Sequence, residues 1–134
     1  MAWDTPRADL PQLTKKAPSS TKNGVHLTGF SADPDTMEFG GVPLPVIWAF
    51  DEHDVLKVRY ATSTSKHSDD AAFCKAVSAS LTAQYGESTV GGATANNRVW
   101  HGQSGRVYFE HKSYPFHQCK IYWVAAGVDL FGDL

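Results

Sequence analysis

One stretch of this 134-residue chain has the pattern of an α-helix, and this limits the possible folds more than any other feature. Residues 68–86 begin at Ser68, a good N-cap, which two aspartates follow at the positive end of the helix dipole. Gly86 stands where helices commonly end in a left-handed residue. The apolar side chains recur with helical spacing on one face, which carries Phe73, Val77, Leu81 and Tyr85, with Cys74 at its edge. The remaining segments have the patterns of strands, turns and tails.

Strand patterns occur in six segments, namely 25–30, 46–50, 55–62, 97–101, 106–111 and 117–125. The polar turn 51–54 and the tight turn 102–105 are short, which favours antiparallel hairpins. In the segment 55–62 the residues Leu56, Val58 and Tyr60 alternate with more polar neighbours. This alternation predicts one buried face and one wet face that carries Lys57, Arg59 and Ala61. By contrast, two prolines and two glycines predict irregular structure over residues 39–45.

These elements predict an α+β fold in which one curved antiparallel sheet of about six strands packs on one helix, in the order βββαβββ. The length indicates a single domain, which we place at residues 25–134. Residues 1–24 form an N-terminal segment that is interrupted by three prolines and is either disordered or extended along the domain. In the extended case its anchors would be Trp3, Leu10 and Leu13.

Charge excludes two classes of partner. The net charge is −2, with acidic and basic residues interspersed, which argues against a nucleic-acid binder and against electrostatic attachment to anionic membranes. No apolar run is long enough to predict a membrane span.

No signal peptide is visible either, and the mature form of an exported protein would look the same. The Gly91–Gly92 pair is too short to cradle a phosphate, so no cofactor is predicted.

The two cysteines lie on different predicted elements, which excludes a closely spaced redox or zinc motif. Cys74 borders the buried helix face, and Cys119 shares a strand face with Ile121 and Trp123 that should meet the helix. A disulfide between them would close a loop of about 45 residues and stabilise the fold by roughly 4 kcal/mol. The alternative is two buried thiols that act as small apolar side chains.

No catalytic or metal-binding signature is present. His101, His111 and His117 lie on neighbouring predicted strands, but their spacing matches no known zinc pattern, so no metal is predicted. Ser104 lies in a hairpin turn and lacks the spacing of a nucleophile elbow. The carboxylates of the 51–54 turn are expected to be solvated turn formers. No catalytic residue is therefore assigned, and a small hydrolase is the least favoured reading.

The aromatic side chains indicate the most plausible functional surface. Tyr108 and Tyr122 should point away from Phe109 and Trp123, toward the wetter side of the sheet. Exposed tyrosines beside Arg106 and Glu110 would be typical of a protein-binding face, whose partner is another protein. The loops 31–45 and 87–95 are further candidate contacts. The alternative is that these are scattered surface tyrosines of an antiparallel sheet.

Four sequence features together resemble a pattern found in small bacterial periplasmic proteins. They are the aromatic run from Trp48 to Leu56, the helix end Gln84-Tyr85-Gly86, the pair Val99-Trp100, and the segment from Cys119 to Tyr122. In such proteins an aromatic hairpin precedes a helix that ends in Tyr-Gly, and a cysteine pairs the helix with the last strand. The resemblance covers residues 46–123.

The resemblance implies a periplasmic or secreted domain that binds another protein and is not an enzyme. Many such proteins are binding modules of the bacterial envelope, and some are inhibitors or immunity proteins against secreted toxins or hydrolases. An inhibitor or immunity protein is therefore the first functional hypothesis. The second is a structural or assembly module of the envelope, in the form of a homodimer.

Overall fold

A computed structural model of the protein describes residues 3–11, 13, 15–22, 24–31, 36–39, 42–63, 71–92, 95–114 and 117–128. Five strands precede the helix and three follow it. They are β1 (Lys15–Lys22), β2 (Val25–Ser31), β3 (Thr36–Phe39), β4 (Val42–Phe50), β5 (Leu56–Thr62), α1 (Ala71–Tyr85), β6 (Asn97–His101), β7 (Gly105–Lys112) and β8 (Gln118–Ala125).

The strands form one antiparallel sheet in the spatial order β1-β2-β4-β5-β8-β7-β6, and β3 pairs with β4 outside this path. The last strand, β8, lies between β5 and β7, so the pieces of chain before and after the helix meet there. The α+β class, the single antiparallel sheet and the single α-helix are confirmed for the described residues. All the predicted strands are present, three before the helix and three after it, and β1 and β3 are additional.

Prolines in β1 and in the β4 segment that pairs with β3 explain why these two strands escape prediction. The β1–β2 register shifts between Ala17 and Ser20, so Pro18 falls at an irregularity in an edge strand, where a missing N–H is tolerated. The prediction of irregular structure over 39–45 is wrong, because β3 and β4 pair there. Pro43 and Pro45 lie in the part of β4 that pairs with β3. The pairing of β4 with β5 begins only at Val46. A strand segment that is paired on one side can accommodate prolines.

The helix agrees with its sequence pattern except at Tyr85, which was placed on the apolar face but is exposed. Phe73, Cys74, Val77 and Leu81 are buried, and the alanines of the opposite face are exposed. Gly86 has a φ of +83° and donates its N–H to the Thr82 carbonyl at 2.8 Å, as the helix-terminating role requires. The predicted cap Ser68 lies outside the described residues.

A β-bulge in the β4–β5 hairpin changes which side chains face each core. Phe50 pairs with Leu56, but Ala49 pairs with Val58, so Lys57 is an extra residue in β5. Leu56 therefore packs with Phe50, while Val58 packs with Ala49 on the other face. The prediction of one buried and one wet face is wrong for β5, because both Val58 and Ala61 are buried on opposite faces.

The N-terminal segment lies against this hairpin and contains a short 3₁₀ helix at Arg7–Asp9. Asp4 and Arg7 donate their N–H groups to the Leu56 and Asp54 carbonyls at 3.0 and 2.9 Å. Leu10 and Leu13 are buried against Phe50 and Leu56, and the side chain of Lys57 forms an ion pair with Asp4. This segment thus covers one end of the sheet, and β1 then continues it as an edge strand.

The sheet has two differently covered faces. The helix face packs on α1 and carries, among others, Val46, Ala61, Phe109, Cys119, Ile121 and Trp123. The opposite face, here called the tyrosine face, carries a second buried cluster formed by Leu27, Ala49, Val58, Val99, Tyr108 and Val124. Val128 packs against this second cluster from the segment after β8. In the part of the chain that the structure describes, no helix has the length and apolar character needed to cross a membrane.

Candidate functional site

The tyrosine face carries a transverse row of three tyrosines. Tyr108 of β7 pairs with Tyr122 of β8, which pairs with Tyr60 of β5. In the next row Glu110 pairs with Lys120. Since directly paired residues of antiparallel strands point to the same side, the register places all five side chains on the face away from the helix.

The three tyrosines differ in exposure. Tyr108 is only 5% exposed and belongs to the second buried cluster, so the expectation that it is solvent-accessible is wrong. Tyr122 is half-buried and stacks on Tyr60, with ring centroids 5.5 Å apart and planes at 29°. Burial raises the pKa of both phenols, and the carboxylate of Glu110 adds to the rise at Tyr122. The accessible aromatic pair is therefore Tyr60 and Tyr122.

The other predicted contact residues surround this pair. Arg106 Nη1 donates to the Tyr108 hydroxyl at 3.0 Å, which holds the guanidinium on the tyrosine face. Glu110 is partly exposed, and its carboxylate lies 4.0 Å from the Lys112 Nζ. The structure thus brings Tyr108, Tyr122, Arg106 and Glu110 to one face, with Tyr108 as its buried support. Sequence reasoning overlooked Tyr60, although its position in a strand of alternating polarity placed it on a defined face.

A second row, on the helix face, carries most of the tryptophans. The register runs from Trp48 to Arg59, then to Trp123, Val107 and Trp100. The Arg59 guanidinium carbon lies 5.3 Å from the Trp48 ring centroid, 5.4 Å from that of Trp123 and 5.9 Å from that of Trp3. Arg59 was expected on a wet face, but it lies among aromatic rings. The bulge at Lys57 could not be foreseen from polarity alternation, so this arrangement was not predicted.

A cavity of about 440 Å³ opens beside this row, between the C-terminal end of α1 and the β6–β7 turn. Its aromatic walls come from Trp3, Tyr85, Trp100 and Trp123. Its charged and polar lining includes Arg59, Arg106, Glu87, Thr89 and His101. The cavity is thus an aromatic cleft with ionisable groups of both signs.

Hydrogen bonds fix the two innermost indoles. Trp100 Nε1 donates to the Gly86 carbonyl at 2.8 Å, and Trp123 Nε1 donates to the Tyr85 hydroxyl at 3.0 Å. Both acceptors belong to the end of the helix, so the Tyr-Gly terminus predicted from sequence also orients the cavity walls. The two indoles are therefore held in place without a ligand.

The two cysteines meet between the helix and the sheet. Cys74 is 0% and Cys119 is 1% exposed, and both are thiols. A hydrogen bond between the two thiols lowers the pKa of Cys119, with a further contribution from Ser63 and against the effect of burial. Ser63 also accepts the Cys119 N–H through its Oγ at 3.1 Å and donates its own N–H to the Cys119 carbonyl at 2.9 Å. The disulfide remains a proposal that this proximity supports.

The three histidines considered for zinc do not converge. His111 Nε2 lies 3.0 Å from His117 Nδ1, whereas the His101 Nδ1 lies 2.6 Å from the Thr89 Oγ1. His101 pairs with Arg106, so the two side chains lie on the same face of the sheet. His111 is an odd number of residues beyond Arg106 in β7, so its side chain points to the opposite face. Among the described residues, no three histidine, cysteine, aspartate or glutamate side chains are grouped so that they could hold a metal ion.

The Thr89–His101 pair has the composition of a nucleophile and a base, at the rim of the cavity. However, the Thr89 hydroxyl also lies 2.9 Å from the Val99 carbonyl oxygen. A hydroxyl has one hydrogen, so if it is donated to the carbonyl the imidazole must act as the donor to Thr89. In that arrangement the threonine is not activated as a nucleophile. Ser104, at the same rim, is an exposed turn residue.

Comparisons with protein-family models, with curated proteins and with solved structures find no match for this chain.

Proposed function

We propose that this protein is a non-enzymatic domain that binds another protein through its tyrosine face. The observation that supports the proposal is the stacked Tyr60–Tyr122 pair, which is half-buried on the side of the sheet that the helix does not cover. Tyrosines anchor many protein interfaces because a rigid ring contributes a large apolar area and a polar tip.

Charges around the pair give the surface the composition of an interface rim. Arg106 lies on one side of the tyrosine row, and the cross-strand pair Glu110–Lys120 lies on the other. Interfaces commonly combine a central aromatic patch with a polar, solvent-accessible rim. A partner with an apolar centre and charges of both signs would therefore suit this face.

The partner class that we propose is a secreted toxin or hydrolase, which the protein would inhibit or to which it would give immunity in the bacterial periplasm. The contact between the Cys74 and Cys119 thiols supports this compartment, because an oxidising environment would convert them to a disulfide that ties helix to sheet. The segment 31–45, which contains β3 and the start of β4, and the segment 87–95 remain secondary candidate contacts.

A homodimeric module of the envelope is the second candidate. Glu110 and Lys120 are neighbours on the same face, so a twofold axis through that face can bring each acid opposite the partner copy's base. This arrangement would bury the same tyrosine pair. The two candidates therefore share a surface and differ in the identity of the partner.

One experiment separates these candidates. The oxidised protein is used for affinity capture from periplasmic extract, with mass spectrometry, and its own oligomeric state is measured by light scattering. The double variant Tyr60→Ser/Tyr122→Ser should lose the partner, while Tyr114→Ser, which alters a tyrosine that is 88% exposed, should keep it. A single hydrolase or toxin supports inhibition, and a dimer that the double variant abolishes supports assembly. Capture and oligomeric state that are identical in all variants would refute the tyrosine face.

A further inference from the structure

We propose that His111 and His117 form a two-imidazole site for a divalent transition-metal ion, with Cu²⁺ as the preferred ion. The Nε2 atom of His111 lies 3.0 Å from the Nδ1 atom of His117, and the ring centroids are 5.1 Å apart. Among the described residues no third histidine, cysteine or carboxylate joins this pair, so water molecules would fill the remaining coordination positions. The site is independent of the protein-binding face.

The pairing of β7 with β8 puts both imidazoles on the helix face of the sheet. His111 pairs with Cys119, whose side chain lies on that face. His117 is two residues before Cys119, so its side chain points to the same side. The main chain of His111 also donates its N–H to the Asn96 carbonyl at 2.7 Å. The two ligands are therefore held together before a metal binds, and the second metal–nitrogen bond forms within one molecule.

The separation of the two nitrogen atoms selects the coordination geometry. Imidazole nitrogen binds zinc at about 2.0–2.1 Å. With bonds of about this length and a nitrogen–nitrogen separation of 3.0 Å, the angle at the metal would be about 90–97°. Neighbouring ligands of a square-planar or tetragonal ion subtend this angle, whereas tetrahedral zinc requires roughly 109°. Cu²⁺ and Ni²⁺ take such geometries with nitrogen and oxygen ligands, and Cu²⁺ binds most tightly among the divalent first-row ions.

The protonation of the pair is compatible with metal binding. Burial lowers the pKa of His111 from its ordinary value of 6.5, so this imidazole is neutral above about pH 7. In the neutral pair one imidazole donates its hydrogen to the other. When a metal binds, the donor carries its hydrogen on its second ring nitrogen instead, so both facing nitrogens become ligands and no proton is released. Both rings are partly exposed and can turn toward a metal beside the line that joins them.

The ammonium group of Lys75 opposes the site. It lies close enough to His111 to lower the pKa of that imidazole, and it would repel a metal ion for the same reason. Lys75 is exposed on the helix, so solvent and salt screen its charge. Lys75→Gln should therefore tighten metal binding. A gain in affinity in this variant would locate the ion beside His111.

The experiment is a calorimetric titration of the unaltered protein with Ni²⁺, which has the required geometry and does not oxidise thiols. His111→Gln and His117→Gln should each weaken binding at least tenfold, because the loss of one imidazole reduces a chelate to a single ligand. His53→Gln alters an exposed histidine of the 51–54 turn and should leave the affinity unchanged. The dispersion of the amide NMR signals of each metal-free variant verifies that it is folded.

Electron paramagnetic resonance of the Cu²⁺ complex gives a second readout. The variant Cys74→Ala/Cys119→Ala is used for this measurement, because it removes the thiols as alternative ligands. The spectrum should be that of a tetragonal ion coupled to two nitrogen nuclei, and His111→Gln in the same background should leave one. Equal Ni²⁺ affinity in the unaltered protein and both histidine variants, or a Cu²⁺ spectrum without coupling to two nitrogens, would overturn the inference.

Discussion

The Nη1 atom of Arg98 lies 2.7 Å from the Oγ of Ser78, which joins the edge strand β6 to the middle of the helix. Arg98 is 2% exposed, and Nη1 also donates to the Thr82 hydroxyl at 2.8 Å. Its Nε donates to the Ser88 hydroxyl at 3.1 Å, and its guanidinium carbon lies 4.5 Å from the Trp100 ring centroid. These hydrogen-bond partners are neutral oxygens, and burial lowers the pKa of Arg98.

Replacing Arg98 should therefore destabilise the fold strongly. Arg98→Met removes the guanidinium and leaves the Ser78 and Thr82 hydroxyls without this donor, which should cost about 2–4 kcal/mol of unfolding free energy. Urea denaturation measures this loss. The control Arg7→Met breaks a partly exposed ion pair with Asp54 and should cost less than about 1 kcal/mol. Equal losses in the two variants would contradict a structural role for Arg98.

Oxidation of the cysteine pair should stabilise the protein. After export to an oxidising compartment, intact mass should be lower by two hydrogens than that of the reduced protein and should rise on reduction. The disulfide should add roughly 4 kcal/mol to the unfolding free energy, less any strain. In the Cys74→Ala/Cys119→Ala variant, stability should be the same with and without reductant. A mass that does not respond to reductant would show that the cysteines are buried thiols.

Stability should fall in mildly acidic solution because His111 is partly buried and lies beside His117. Burial lowers the pKa of His111 from its ordinary value of 6.5, and His117 and Lys75 lower it further. The unfolded state then binds more protons than the folded state below about pH 6.5, so the unfolding free energy decreases as pH falls through that value toward the folded-state pKa.

Urea denaturation between pH 8 and 5 measures this effect. His111→Gln should flatten the pH dependence, whereas His53→Gln, in the exposed 51–54 turn, should leave it as it is in the unaltered protein. A slope that persists in His111→Gln would assign the pH dependence to other groups.

The Tyr85 hydroxyl should contribute to the rigidity of the cavity wall. Tyr85→Phe removes the acceptor of the Trp123 N–H and should lower the unfolding free energy by about 1 kcal/mol. Hydrogen exchange of the Trp123 indole N–H should become faster in this variant. Tyr114→Phe alters an exposed tyrosine and should change neither quantity. Unchanged exchange in Tyr85→Phe would show that burial alone protects the indole.

Local signals in the sequence predicted much of the fold but little of the cavity. The helix was predictable because apolar spacing and Gly86 both identify it, and the β6 strand agrees with its predicted range 97–101. The β1 and β3 strands were not predictable, because β1 contains Pro18 and the partner of β3 contains Pro43 and Pro45. Proline lowers the strand preference of a segment whether that segment is paired on one side or on both. Their partners are set by tertiary pairing.

The positions of the candidate site residues were likewise only partly predictable from the sequence. Strand alternation correctly placed Tyr108 and Tyr122 on the face opposite Phe109 and Trp123, but it carries no information on what covers that face, so the burial of Tyr108 was missed. Arg59 was misplaced because one extra residue in β5 changes the parity of the strand. Alternation can be read from a sequence only where the ladder is regular.

The bulge at Lys57 has a consequence for how this chain can vary in length. Without Lys57, Leu56 and Val58 would be consecutive, as are their partners Phe50 and Ala49, so the ladder would become regular. Both side chains would keep the faces that they now occupy, and the Asp4 ion pair would be lost. A one-residue deletion within a central strand would usually invert the downstream side chains. At this position it is the conservative change, so homologues that lack one residue in the hairpin should retain both hydrophobic cores.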